Sequence, residues 1–231
     1  MADINKVYQS AYNVCLKMLK DRGYTLPAYL QPVTEDQFEV MLERKQLDMT
    51  GITDNNGIPT YVRIIEPSVP FTKDKKRVYD IMAFYFKNNG LPDITDGKKL
   101  IEAADAGKVR IIIIYKESPG SKAQNQPEKE YIQHAFIEIH EVHNLSIDPL
   151  ECKYQAQWRL MTEAEVKEVK KRYDAQSIMF GGVAIDDPIN RYYRGRPAEK
   201  GRPAQMYEVI RNGTSISYRR VLTKVMNIKT K

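Results

Sequence analysis

GKKLIEAADAGK (97–108), RIIIIY (110–115) and AFIEIHEV (135–142) follow one another as a short helix and two strands. Gly107 closes the helix, because a glycine past the last turn can take positive φ. Four successive isoleucines in 110–115 imply a strand buried on both faces, since a strand with one wet face alternates apolar and polar residues. A strand buried on both sides needs layers above and below it. The order helix, strand, strand therefore predicts a mixed sheet with helices packed on it, an α/β (α+β) fold. The connection KESPGSKAQNQPEKE (116–130) is polar and predicts a loop.

Toward the N-terminus, Tyr8, Ala11, Tyr12, Cys15, Met18 and Leu19 recur at three- and four-residue spacing. That is one apolar stripe of a helix, ended by Gly23 in KDRGY. Thr34-Glu35-Asp36-Gln37 reads as a capping box, opening a helix with Phe38, Met41 and Leu42. Asp54-Asn55-Asn56-Gly57 is a turn, and TYVRII (60–65) is a strand. MAFYF (82–86) fits strand or helix equally.

A second unit is expected from Asp148-Pro149 onward, giving domains 1–147 and 148–231. Thr162-Glu163-Ala164-Glu165 is another capping box, with Val166, Val169 and Tyr173 on the inner face of its helix. Asp187-Pro188 opens a helical turn ending near Tyr193, and RGRPAEKGRPA (194–204) is a loop by composition. QMYEVIR (205–211) and SISYRRVL (215–222) are two strands joined by Asn212-Gly213, a strong hairpin signal.

Composition narrows the function. With 42% hydrophobic and 10% aromatic residues in 231, the chain can build real cores. No apolar run approaches the roughly 18 residues of a membrane span, and MADINKVYQS has no signal-peptide pattern, so a soluble intracellular protein is expected. Cys15 and Cys152 stand in unrelated contexts, which makes neither a disulfide framework nor a zinc site. The histidines are His134, His140 and His143; in a strand the last two would point to opposite faces, as polar residues at a strand end. Charge is asymmetric. Residues 151–231 hold 17 Lys and Arg against 9 Asp and Glu, whereas residues 1–150 hold 19 against 21. A basic C-terminal half suits nucleic acid or an acidic protein surface.

Enzyme signatures are missing. There is no GxxxxGK[ST], HExxH or GxSxG. A metal-dependent nuclease needs carboxylates beside a D/E-x-Lys element on neighbouring strands. Asp74-Lys75-Lys76 and Glu151-Cys152-Lys153 match the triplet but read as charged loops away from 110–115. No metal, cofactor or small-molecule substrate is expected.

EVKKRYDAQSIMFGGVAIDDPINRYYRGRPAEKGRPAQMYEVIRNGTSISYRRV resembles the assembly domain of the fifth nuclear RNA polymerase subunit, a family with a single-domain archaeal relative. The matching pieces are Lys171-Arg172-Tyr173, Asp187-Pro188 with Tyr192, Glu208-Val209-Ile210-Arg211, and Tyr218-Arg219. LKDRGY (19–24), RIIIIYKESPGSK, and Arg159, Leu160, Thr162 and Glu165 add similar elements in the family's order. The loop between Tyr193 and Gln205 is longer than the family's, and extra residues fall around 146–157.

The resemblance implies a non-catalytic subunit. Its N-terminal jaw domain (1–147) would have a nuclease-like fold without catalytic residues and lie along downstream double-stranded DNA. Its assembly domain (148–231) would dock on the largest polymerase subunit. The DNA contact implied is the loop bearing Ser118, Pro119, Gly120, Ser121 and Lys122, whose small hydroxyls, glycine and lysine can approach phosphates without reading bases. Partner contact falls to Asp187, Pro188, Arg191, Tyr192, Arg211, Tyr218 and Arg219. Arginine is favoured across this half, as its planar fork suits carboxylates at interfaces. Tyr192, Tyr193, Tyr207 and Tyr218 are aromatic anchors or hairpin core, about half in each role. The expected location is the nucleus for a cellular protein, or a virion or host cytoplasmic viral factory for a viral one. The competing reading is a stand-alone nuclease on the same N-terminal fold, which a carboxylate cluster beside 110–115 would reveal.

Overall fold

The computed structural model describes residues 2–69, 71–116, 136–151, 156–172, 181–184, 187–196, 200 and 203–222. The chain divides into two compact units, Met1–Ile147 and Asp148–Lys231.

Unit 1 is built on a four-stranded mixed sheet of β1 (Asp48–Thr53), β2 (Pro59–Ile64), β3 (Arg110–Tyr115) and β4 (Ile137–Glu141), in that spatial order. β1 and β2 form an antiparallel pair; β2, β3 and β4 are parallel. Central β3 has all four isoleucines fully buried, as the unbroken apolar run requires. The β1–β2 turn depends on Asp54, whose Oδ1 accepts from Asn56 N–H and Ile58 N–H, both at 2.8 Å. β1 itself is not evident in DMTGIT. Its pairing is interrupted between Met49 and Ile52, where Gly51 adopts φ +71, so no period-two pattern survives.

The helices are α1 (Ala2–Asp21), α2 (Glu35–Glu43), α3 (Phe71–Asn88), α4 (Gly97–Asp105) and the short α5 (Val142–Leu145). α1 ends as its sequence predicts. Gly23 takes φ +84, Gly23 N–H donates to Lys20 O, and Tyr24 N–H donates to Leu19 O. The Thr34–Gln37 capping box forms in both directions, although only Phe38 of α2 is fully buried. MAFYF resolves as helix, because Met82, Ala83 and Phe86 continue the buried stripe of Val78 and Tyr79. The triplet at 74–76 therefore lies in α3 and not in a loop. α3 and α4 pack on the sheet face of Tyr61, Ile111, Ile113, Tyr115 and Ile137. The opposite face carries Glu138 and His140 beside Ile112 and Ile114. Arg22, just past α1, reaches Glu138 there.

Unit 2 holds β5 (Gln157–Leu160), α6 (Glu163–Arg172), β6 (Gly181–Val183), α7 (Pro188–Tyr193), β7 (Met206–Arg211) and β8 (Thr214–Val221). The expected hairpin is the centre of a four-stranded sheet ordered β5-β7-β8-β6, with β6 parallel to β8. Asn212 and Gly213 have φ of +51 and +74, positive at both turn positions as an Asn-Gly hairpin needs. One face packs Met206 and Tyr218 against Met161, Val166 and Val169 at α6. The other packs Tyr207, Val221 and Val183 against Ile189 at α7, with Trp158, Leu160 and Tyr193 around them. The Thr162–Glu165 capping box is present: Glu165 N–H donates to Thr162 Oγ1, and Thr162 N–H donates to Glu165 Oε2. Tyr173 lies outside the described residues.

Candidate functional surfaces

The loop residues Ser118, Pro119, Gly120, Ser121 and Lys122 lie outside the described residues, as do the rest of 117–135. What is described is where that connection is anchored. It leaves after Tyr115 at the carboxyl end of β3 and returns at Phe136. Ile111 N–H donates to Phe136 O at 2.9 Å, and the Arg110 guanidinium sits 4.7 Å from the centre of the Phe136 ring.

The carboxylates nearest β3 hold arginines. Glu138, on β4 opposite Ile112, is buried and receives Arg22 Nη1 at 3.0 and 2.9 Å on its two oxygens. His140 Nε2 lies 3.1 Å from Glu138 Oε2. His140 is thus buried inside an ionic cluster, not a wet residue at a strand end; β4 stops before His143, which is exposed in α5. The nearby Cys15 thiol is pushed up to about 12 by burial, which keeps it protonated. Asp54 is engaged by Arg110 Nε at 2.6 Å, and Asp48 by Arg63 Nη1 at 2.7 Å. Burial opposes ionisation of Asp54. Donors from Ile58, Arg110 and Asn56 outweigh it and hold the carboxyl below its usual range. Among the described residues no group of three or more His, Cys, Asp or Glu could hold a metal ion.

In unit 2 the expected partner residues divide by role. Asp187 caps α7, its Oδ1 accepting from Ile189 N–H at 2.9 Å, and Pro188 follows at the first helical position. Tyr192 is 2% exposed and meets Tyr193 edge-on at 5.2 Å. In the chain by itself its ring is part of the core of unit 2. Tyr207 is buried too, donating to Asn190 Oδ1 at 2.7 Å, so two of the four tyrosines are core. Tyr218 is half-buried on the α6 face and Arg191 is half-buried on α7. Arg211 and Arg219 are exposed on β7 and β8.

Arg159 stood out in the sequence only as a family element. In the structure it binds Glu208 of β7 at 2.5 Å and Glu165 of α6 at 2.8 Å. Three elements are thereby joined, and the single carboxylate of β7 is consumed. Arg211, Arg219 and the neighbouring Arg220 form no ion pair among the described residues, so the positive charge of the hairpin is presented outward.

Both units are α+β, unit 1 with arginine-paired carboxylates and unit 2 with an arginine-rich hairpin. The chain is similar to the DNA-directed RNA polymerases I, II, and III subunit rpabc1 of Dictyostelium discoideum: 25% identical over 214 residues, covering 89% of this chain and 94% of that protein. No family model matches. The resemblance carried by the motifs thus extends to a relative aligned along nearly the whole chain. That relative is a polymerase subunit, and the likeness favours a subunit over a stand-alone nuclease. No helix among the described residues is long and apolar enough to cross a membrane.

Proposed function

We propose that the protein is a non-catalytic subunit of a multisubunit DNA-dependent RNA polymerase, working where nuclear transcription takes place. The observation that carries this is the near full-length likeness to a polymerase subunit. The arginine-paired carboxylates of unit 1 support it, because a two-metal or one-metal nuclease would need those oxygens for its cation. In this reading residues 148–231 are the assembly domain and dock on the largest subunit through the basic hairpin. Residues 1–147 are the jaw and lie beside downstream DNA, with Ser118, Gly120, Ser121 and Lys122 near the phosphate backbone.

The test is affinity purification of the tagged chain from its own cells, followed by mass spectrometry. Recovery of the two largest polymerase subunits in stoichiometric amount is expected. Their absence from a soluble, folded, tagged protein would overturn the reading. Lys122→Glu should leave that recovery intact and lower the salt sensitivity of downstream DNA binding, because one peripheral phosphate contact among many is lost.

A further inference from the structure

β6 contains two adjacent glycines, Gly181 and Gly182, and both positions are closed to side chains by β8 and its continuation. A Cβ on Gly181 would run into Arg219, 2.8 Å from Cζ and 2.9 Å from Cδ, with Nη1 nearer still. A Cβ on Gly182 would collide with Leu222, 2.7 Å from Cγ. Register explains the split. Arg219 pairs with Gly181 and with Tyr207, so it stands on the α7 face of the sheet. Arg220 pairs with Gly182 and Met206, and stands on the α6 face. The Arg219 side chain is therefore laid across a bare glycine backbone, whereas Gly182, the partner of Arg220, is covered most closely by Leu222.

An exposed arginine loses side-chain freedom when a partner fixes it. A guanidinium already seated against the sheet loses less, and its fork presents parallel donors suited to a carboxylate. Arg219 has no carboxylate of its own among the described residues, and Glu208 on the adjacent strand is already held by Arg159.

We propose that Arg219, held in place by Gly181, is a preorganised receptor for a carboxylate of the protein surface on which unit 2 docks. The docking face is then the α7 side of the hairpin, and the partner is acidic there. This rests on the polymerase reading above. An acidic protein fits better than nucleic acid. Arg219 and Arg220 point to opposite faces and Arg211 lies at the far end of the hairpin, so the three form no row that could follow a phosphate backbone.

The test compares full-length tagged variants expressed in the chain's own cells, reading the largest polymerase subunit recovered per tagged chain. Arg219→Glu should lower recovery about tenfold or more, and Arg219→Lys should fall between it and the wild type. Arg220→Glu should stay within about twofold of wild type, being on the other face. Gly181→Ala keeps every charge yet displaces the guanidinium, so it should lose recovery toward the level of Arg219→Glu. Thermal melting of each purified chain shows whether it folds; if Gly181→Ala does not, the Arg219→Glu against Arg220→Glu contrast decides alone. Equal losses for those two, or undiminished recovery with Arg219→Glu, overturn the proposal while leaving the polymerase reading standing. Recovery that disappears on nuclease treatment of the wild-type complex overturns it in favour of a phosphate ligand. A wild-type chain that recovers no polymerase overturns both.

Discussion

Arg110 Nε donates to Asp54 Oδ2 at 2.6 Å, joining the turn between β1 and β2 to the first residue of β3, 56 positions away. The same aspartate holds its own turn through Asn56 and Ile58. Its side chain is 1% exposed and that of Arg110 is 19% exposed, so the pair is largely shielded from water. Asp54→Asn keeps the size but loses the charge. It should cost about 1–3 kcal/mol at neutral pH, the loss expected when charge-assisted hydrogen bonds are weakened in a buried site. Urea denaturation at pH 7 measures this.

The pH dependence has a fixed sign. The Asp54 carboxyl is held below its ordinary value in the folded chain. Its contribution is therefore fully present above the unfolded-state value of about 3.9 and is lost as pH falls through the lower folded-state value. Wild type should lose stability more steeply than Asp54→Asn below about pH 4, so the two curves converge in acid. Parallel curves from pH 6 to pH 2 would contradict the assignment.

Arg22 and Glu138 give a sharper contrast within unit 1. Both side chains are nearly inaccessible, at 6% and 2% exposure. Arg22→Ala strands a buried carboxylate beside His140 and should cost about 3–5 kcal/mol. Arg172 and Glu168 on α6 are an i,i+4 pair at 62% and 68% exposure. Arg172→Ala should change stability by less than about 0.5 kcal/mol. Chemical denaturation of both variants tests whether burial, and not the mere presence of a pair, governs the cost.

Gly195 is a third site where one atom matters. A Cβ there would meet Asn190 Oδ1 and Tyr207 Oη, the two ends of a buried 2.7 Å hydrogen bond, and would lie 3.0 Å from Tyr207 Cζ. Gly195→Ala should part that pair and cost about 1–3 kcal/mol. Tyr207→Phe, which removes the hydroxyl, should relieve some of the crowding. The double variant is therefore expected to be less damaged than the sum of the singles.

What the sequence disclosed was whatever local chemistry encodes. The capping boxes at Thr34 and Thr162, the glycine stop at Gly23 and the Asn212-Gly213 turn each lie within a few residues of their effect. β1, β5 and β6 were not visible, because their identity comes from partners. β6 is Gly-Gly-Val, two glycines disfavoured in strands before a single valine, and is a strand because β8 pairs with it and Arg219 and Leu222 fill the space its glycines leave. The ionic clusters were hidden for the same reason: Arg22 and Glu138 are 116 residues apart. Among the expected partner residues, Arg211 and Arg219 are exposed on the hairpin, and the resemblance, not the strand pattern, singled them out. The sequence could not show that Tyr192 turns inward, since a six-residue helix is too short for periodicity to fix its face.

Residues 148–231 should fold without unit 1. The segment brings its own sheet with a core on each face: Met161, Val166, Val169 and Met206 under α6, and Val183, Ile189, Tyr207 and Val221 under α7. Arg159 locks β5, β7 and α6 together from inside the same segment. Domains of about 60 residues and upward can be stable alone when they bury most of their apolar surface. Trp158 is the protein's sole tryptophan and lies edge-on to Tyr207 at 6.0 Å, so it reports on the core directly. The purified fragment should show a blue-shifted tryptophan emission, near-ultraviolet circular dichroism and a single cooperative urea transition. Its transition should coincide with the Trp158 transition of the full chain, and Arg159→Ala should move both by the same amount. Red-shifted emission and a flat near-ultraviolet spectrum would show instead that unit 2 depends on the first 147 residues for its fold.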